Sequence, residues 1–192
     1  MGAIRNIFAL IGLLAVIGFG VVTVKSKDMI SGFDPDAARV YKEMAETLLA
    51  TKNAAEASVW KMEVVEGLSP EEVEETMKFV ANEHNISNVG ELPLYKDVEA
   101  KLGKEFRFVK IYMFCNSLTA ARMLDYSDAF SAYLPCRITL IEDKQGKLWL
   151  MALNMDLMIY GGEPLPPELK EEAIHVKEVI LDIMKRGAEG DF

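Results

Sequence analysis

Histidine and cysteine are scarce in these 192 residues, with two of each, so the side chains that most often hold metals or move protons at neutral pH are nearly missing. No CxxC, CxxCH or HExxH spacing occurs, which leaves structural zinc and covalent haem attachment without sequence support. No serine sits in a GxSxG elbow, and two histidines offer little choice of base for a nucleophile. Gly161-Gly162 runs on into prolines, which makes it a turn and not a phosphate cradle. Basic residues are outnumbered 21 to 30, a net charge of -9. A nucleic-acid binder needs the opposite excess to displace counterions from phosphates, so nucleic acid is excluded as a partner. With 7 prolines and 13 glycines and no repeat or low-complexity stretch, collagen-like and disordered classes are excluded too. No cofactor is expected, and an enzyme is the minority reading.

What the chain does have is apolar weight, 51% of its residues. From Ile7 to Val24 it reads IFALIGLLAVIGFGVVTV without a charge. As a helix this run spans roughly 27 Å, near the hydrocarbon thickness of a bilayer. It passes directly into Lys25-Ser26-Lys27 with no small-x-small cleavage pattern, so residues 1–28 are expected to be one transmembrane anchor. Counting of basic residues does not orient it, because Arg5 and the terminal amine precede the run and Lys25 and Lys27 follow it. A short leader before a single apolar span is the arrangement of a signal anchor. The expectation is therefore a single-pass protein of the cell inner membrane with its body on the periplasmic side.

Residues 29–58 read as a helical linker. Asp34-Pro35 forms a cap and first turn, and Val40, Tyr41, Met44, Leu48 and Leu49 recur at helical spacing to about Ala55. Trp60, Met62 and Val64 alternate with charges as in a strand, and Ser69 caps a helix whose apolar side is Val73, Met77 and Val80. Asn85 to Lys104 is a mixed stretch with a short helix through Val98 and Leu102. Phe106 to Phe114 (FRFVKIYMF) predicts a central strand covered on both faces. Asn116 and its neighbours start a short helix from Leu118 to Leu124, and a strand runs from Arg137 to Glu142. Asp143 to Gly146 turns the chain back along Lys147 to Leu153. Pro166-Pro167 opens a closing helix with Leu169, Ala173, Val176, Ile180 and Ile183 on its buried stripe. Strands in hairpins with helices on one side predict an α+β domain over residues 59–192, built on a single antiparallel sheet packed by helices and preceded by one transmembrane helix.

These pieces carry a resemblance. A strand, GLSPEEVEE, a strand ending FCN, AARML, LPCRITLIEDKQGKLWL and a terminal helix together resemble the domain of unknown function 302 family, from about Val59 to Arg186. Phe114-Cys115-Asn116 and Leu134-Pro135-Cys136-Arg137 are the most specific segments, and Ser117 departs from the proline that often follows Cys-Asn there. The resemblance implies a compact α+β fold, frequent dimers, no assigned enzymatic activity, and an association of some members with redox and sulfur-handling proteins.

Cys115 and Cys136 flank the same short helix, and three states remain open for them: a structural disulfide, a redox pair, or two buried thiols. Tyr126, Phe130 and Tyr133 lie between them and, with Asn116 and Arg137, are candidates for walls of a small pocket. Glu171, His175, Glu178 and Asp182 form one ridge of the closing helix, a weak candidate for a metal; a solvated polar face explains the spacing as well. Met113, Met123, Met151, Met155 and Met158 raise Cu(I), with core filling as the better explanation. The functional expectation is a membrane-anchored, non-catalytic binding or accessory module, its partner another membrane protein or a second copy. Through the resemblance, that partner would be a respiratory or sulfur-metabolising redox complex. The alternative is a thiol-redox or metal/haem-handling protein using Cys115 and Cys136.

Overall fold

The computed structural model describes Gly12, Val16 and residues 31–192. Helix α1 (Ala37–Thr51) and the short α2 (Ala54–Ala57) lead into strand β1 (Val59–Glu63), α3 (Pro70–Glu83), β2 (Ser87–Leu92) and α4 (Leu94–Leu102). Then follow β3 (Val109–Cys115), α5 (Ser117–Tyr126), a 3-10 turn (Asp128–Ala132), β4 (Cys136–Glu142), β5 (Leu148–Leu153), α6 (Asp156–Tyr160) and α7 (Pro167–Glu189). The strands form one antiparallel sheet in the order β1-β5-β4-β3-β2. This is the α+β architecture that the sequence predicts. Among the described residues no helix is long and apolar enough to cross a membrane. The anchor expected over residues 1–28 lies outside the described residues, Gly12 and Val16 apart.

Local chemistry sets the element boundaries. The Ser69 hydroxyl accepts from the Glu72 amide while the Ser69 amide donates to the Glu72 carboxylate at 2.8 Å, a reciprocal cap that fixes the start of α3. Asp143 closes the β4-β5 turn by accepting from the amides of Gln145 and Lys147 at 2.8 and 3.0 Å, with Gly146 at a φ of 82°.

Alternation along the strands decides the core. Tyr112 and Phe114 of β3, Ile138 and Leu140 of β4, and Leu150 of β5 are fully buried on one face, beneath α3 and α7. The next residues along, Ile111, Met113, Thr139, Ile141, Trp149 and Met151, are only half-buried on the other face. This corrects the expectation of a central strand covered on both faces. The run FRFVKIYMF is apolar on both sides, yet on this second face only Val109, at the start of β3, is buried.

Two further expectations change. The mixed stretch after Asn85 contains edge strand β2, which pairs with β3 across an irregularity between Asn88 and Gly90; glycine and an exposed polar edge hide such a strand from periodicity. Helix α1 begins at Ala37 and ends at Thr51, where Lys52 turns left-handed, and Asp34 is not its cap. Asp34 is instead buried, its carboxylate ion-paired to Lys170 of α7 and its amide donating to the Gly162 carbonyl at 2.7 Å. Burial opposes its ionisation, but Lys170 and the Asp36 amide hold its carboxyl below the usual range. Tyr41 donates to the Gly161 carbonyl at 2.6 Å. The start of the linker helix is thus fastened to the domain, while Leu49 near its far end is 78% exposed.

One charge sits on the buried side of the central strand. Lys110 pairs with Glu74 at 2.7 Å and Glu91 at 2.6 Å, Lys78 bridges the same two carboxylates, and the Tyr112 hydroxyl donates to Glu74 at 2.8 Å. Burial alone would raise the Glu91 carboxyl, but hydrogen bonds from Lys110, Lys78 and Asn88 pull it down to about 2. A carboxyl depressed in the fold stabilises it above the unfolded value and loses that contribution as the pH falls. Unfolding free energy should therefore decline between pH 4.5 and about 2. Glu91→Gln should flatten that decline and cost on the order of 1–2 kcal/mol at neutral pH, allowing for solvent screening, as read by denaturant titration across pH.

Gly187 gives a second test. A Cβ there would lie 2.7 Å from Met77 Cγ and 3.3 Å from Leu150 Cδ1, both in fully buried side chains. Gly187→Ala should gain about 1 kcal/mol of helix propensity and lose about 1–3 kcal/mol to overpacking. The expected outcome is net destabilisation, measured by thermal or urea unfolding.

Candidate functional site

Strand β3 ends at Cys115 and β4 starts at Cys136. The register sets Phe114 opposite Cys136, so the two cysteines are diagonal neighbours on adjacent strands. Both thiols are free and half-buried. At Cys115 the strand turns into α5, and both cysteines line one cavity between the sheet end, α5, α6 and α7. Asn116 starts α5 by accepting from the amides of Leu118 and Thr119 at 3.2 and 3.3 Å. Thr119 and Arg122 both bond to Glu172 and tie α5 to α7.

The cavity is small, about 30 Å³, and nearly all of its wall is apolar. Met123, Met155 and Met158 line it together with the cysteines, above Ala173 and Val176 of α7. Room for a water or an ion is far below the several hundred cubic ångströms that an organic ligand or haem occupies. Burial, and then the neighbouring Cys115, push the Cys136 thiol up to about 11, while Arg137 pulls the other way. At neutral pH this thiol is protonated, the opposite of what an attacking redox cysteine needs.

The pocket expected from Asn116, Tyr126, Phe130, Tyr133 and Arg137 is divided. Asn116 lines the sulfur cavity, but its side-chain oxygen is committed to the cap. Tyr133 and Arg137 line a separate hollow of about 20 Å³ on the other side of Cys136. Tyr126 and Phe130 line neither, their ring centroids 6.1 Å apart, with Tyr126 exposed and Phe130 half-buried against the core. Glu171 and His175 border an open groove beside α5, with Glu178 exposed further along α7. Asp182 is taken up by His84, whose Nε2 lies 2.8 Å from it. Among the described residues no three His, Cys, Asp or Glu side chains gather as a metal-holding group. The two cysteines, which flank one short helix in the sequence, are neighbours on adjacent strands in the fold. That Leu134, Met155 and Met158 close over them shows in no spacing, because three separate segments meet there.

The raised Cys136 thiol has a direct consequence. In Cys115→Ser, alkylation of Cys136 by iodoacetamide at pH 8 should run at least about tenfold slower in the folded than in the urea-unfolded protein; the smaller thiolate fraction outweighs its greater nucleophilicity. Equal rates would show an accessible, ordinary thiol.

Comparison with known proteins agrees with this geometry. No curated protein matches the chain. Among solved structures, an uncharacterized conserved DUF302 protein from Bacillus stearothermophilus superposes with a TM-score of 0.54 at 18% identity, covering 67% of this chain and 96% of its own. At that identity the likeness speaks for the fold. The family described as Domain of unknown function DUF302 matches residues 60–187, two thirds of the chain, from β1 to the last turn of α7, and the chain therefore belongs to the DUF302 family.

Proposed function

We propose that this protein is a membrane-anchored, non-catalytic accessory module whose open sheet face seats against a membrane-protein partner. The observation that carries the reading is the composition of that face. An antiparallel sheet with one solvated side ordinarily turns polar residues outward. Here Ile111, Thr139 and Met151 form one cross-strand row, and Ile141 beside Trp149 forms part of the next, all half-buried with none of the core cluster packed on them among the described residues. Lys61 stands 4.3 Å over the Trp149 ring, and Arg137 borders the same face. Tryptophan, methionine and arginine are the residues enriched where proteins dock. The uncharged run Ile7–Val24 supports the membrane side of the reading, since an anchor confines the domain to partners at that surface. The periplasmic orientation and a role beside a redox complex follow from the signal-anchor pattern and the family association, and belong to the same proposal.

Native mass spectrometry of the full-length protein, extracted from its own membranes in mild detergent, tests it. A defined heteromeric complex is expected. Met151→Lys should abolish that complex while changing unfolding free energy by less than about 1 kcal/mol, as surface substitutions do. Deletion of residues 1–28 should release the domain to the soluble fraction. A bare monomer, a homodimer alone, or a complex that survives Met151→Lys would overturn the reading.

A further inference from the structure

We infer that the cavity at the end of the sheet is a binding site for one soft monovalent metal ion, Cu(I) in a cell, held by Cys115 and Cys136 with methionine sulfur completing its shell. Five sulfur-bearing side chains from four separate segments, Cys115, Met123, Cys136, Met155 and Met158, line this one cavity. Thiolate and thioether donors select Cu(I), whereas Mg(II), Ca(II) and Mn(II) need carboxylate or carbonyl oxygen. Of the polar side chains at the cavity, Asn116 is spent on its cap and Thr119 on Glu172.

The size agrees. About 30 Å³ admits a single ion and no organic cofactor. Methionine as core filler accounts for each residue singly, and much of the chain's methionine serves that end; Met77 and Met184, fully buried elsewhere, are examples. Filling leaves no void where it succeeds. Here five sulfur-bearing residues line one, with Met123 and Met155 at 3% and 6% exposure and Cys115 half-exposed as the way in.

Binding involves no change of oxidation state. Each Cu–S bond to a cysteine replaces an S–H bond and sends one proton to solvent, and each thioether bond forms without proton loss. One thiolate cancels the ion's charge and the second leaves a net charge of -1, towards which the Arg137 cation acts favourably at Cys136. This inference rests on the cavity alone and is independent of the sheet face.

The test is anaerobic competition of the full-length protein, in detergent, against bicinchoninate for Cu(I). One ion per chain is expected, and excess zinc should not displace it. Cys115→Ala and Cys136→Ala should each weaken binding by more than the roughly 10–100-fold that outer-shell changes cost at metal sites. Met123→Leu, Met155→Leu and Met158→Leu keep volume and fold, and at least one should weaken binding about tenfold or more. Thermal unfolding of each variant checks that the fold is intact. X-ray absorption of the loaded protein should show sulfur ligands only. A wild type that yields Cu(I) as readily as the double alanine variant, or three leucine variants as tight as wild type, would overturn the site.

Discussion

Helix α7 packs so closely at Gly187 that a Cβ there would lie 2.7 Å from Met77 Cγ of α3 and 3.3 Å from Leu150 Cδ1 of the sheet. Most of the other parts lean on that helix. The stripe Leu169, Ala173, Val176, Ile180 and Ile183 is buried against the inner face, and each fully buried aliphatic side chain contributes about 1.5–3 kcal/mol against the entropy of ordering the chain. The same helix supplies Lys170, which fastens the start of α1 through Asp34, and Glu172, which anchors α5. Its Ala173 and Val176 form one side of the sulfur cavity.

Because a single layer of helices covers the sheet, its two faces have unequal lives. The inner face is dense enough that even Lys110 is held there, neutralised by Glu74 and Glu91 and not expelled. The outer face is the reverse, with apolar and aromatic side chains half in water. Polarity is thus inverted at one place on each side. The inner inversion is satisfied within the chain by a closed set of two cations and two carboxylates. The outer one has no such partner layer among the described residues, and that asymmetry is why the accessory reading rests on the face and not on a cleft.

The sulfur cavity arises at the point where the regular sheet ends. Two strands stop and start at Cys115 and Cys136, and Asn116 diverts the chain into α5. Beneath the diverted segment the packing leaves a small gap. The cysteines were legible as a pair because strand ends flanking one short helix must be close. The methionines were legible only as a list, since Met155 and Met158 follow β5 and meet the cysteines through the fold of α6. Tyr126, Phe130 and Tyr133 are near in sequence but part company in the fold: Tyr133 borders the hollow beside Cys136, Phe130 packs on the core and Tyr126 is exposed.

Periodicity, caps and turn residues alone determined most elements: the Ser69-Glu72 box, the Asp143 turn, the alternation of β4 and β5, and the stripe of α7 all act within a few residues, so they are written in the sequence directly. The apolar run Ile7–Val24 is equally local, and its lack of charge is a property of the sequence itself. Tertiary structure decided what depends on distant segments meeting. It chose which face of an evenly apolar strand would be covered, recovered β2 by pairing it with β3, and diverted Asp34 from a cap to a buried ion pair. It also gathered the cavity's sulfurs from four stretches of chain. The physical reason is the same in each case: a local signal fixes backbone conformation, whereas burial, charge pairing and cavity shape are properties of neighbours that the sequence does not place side by side.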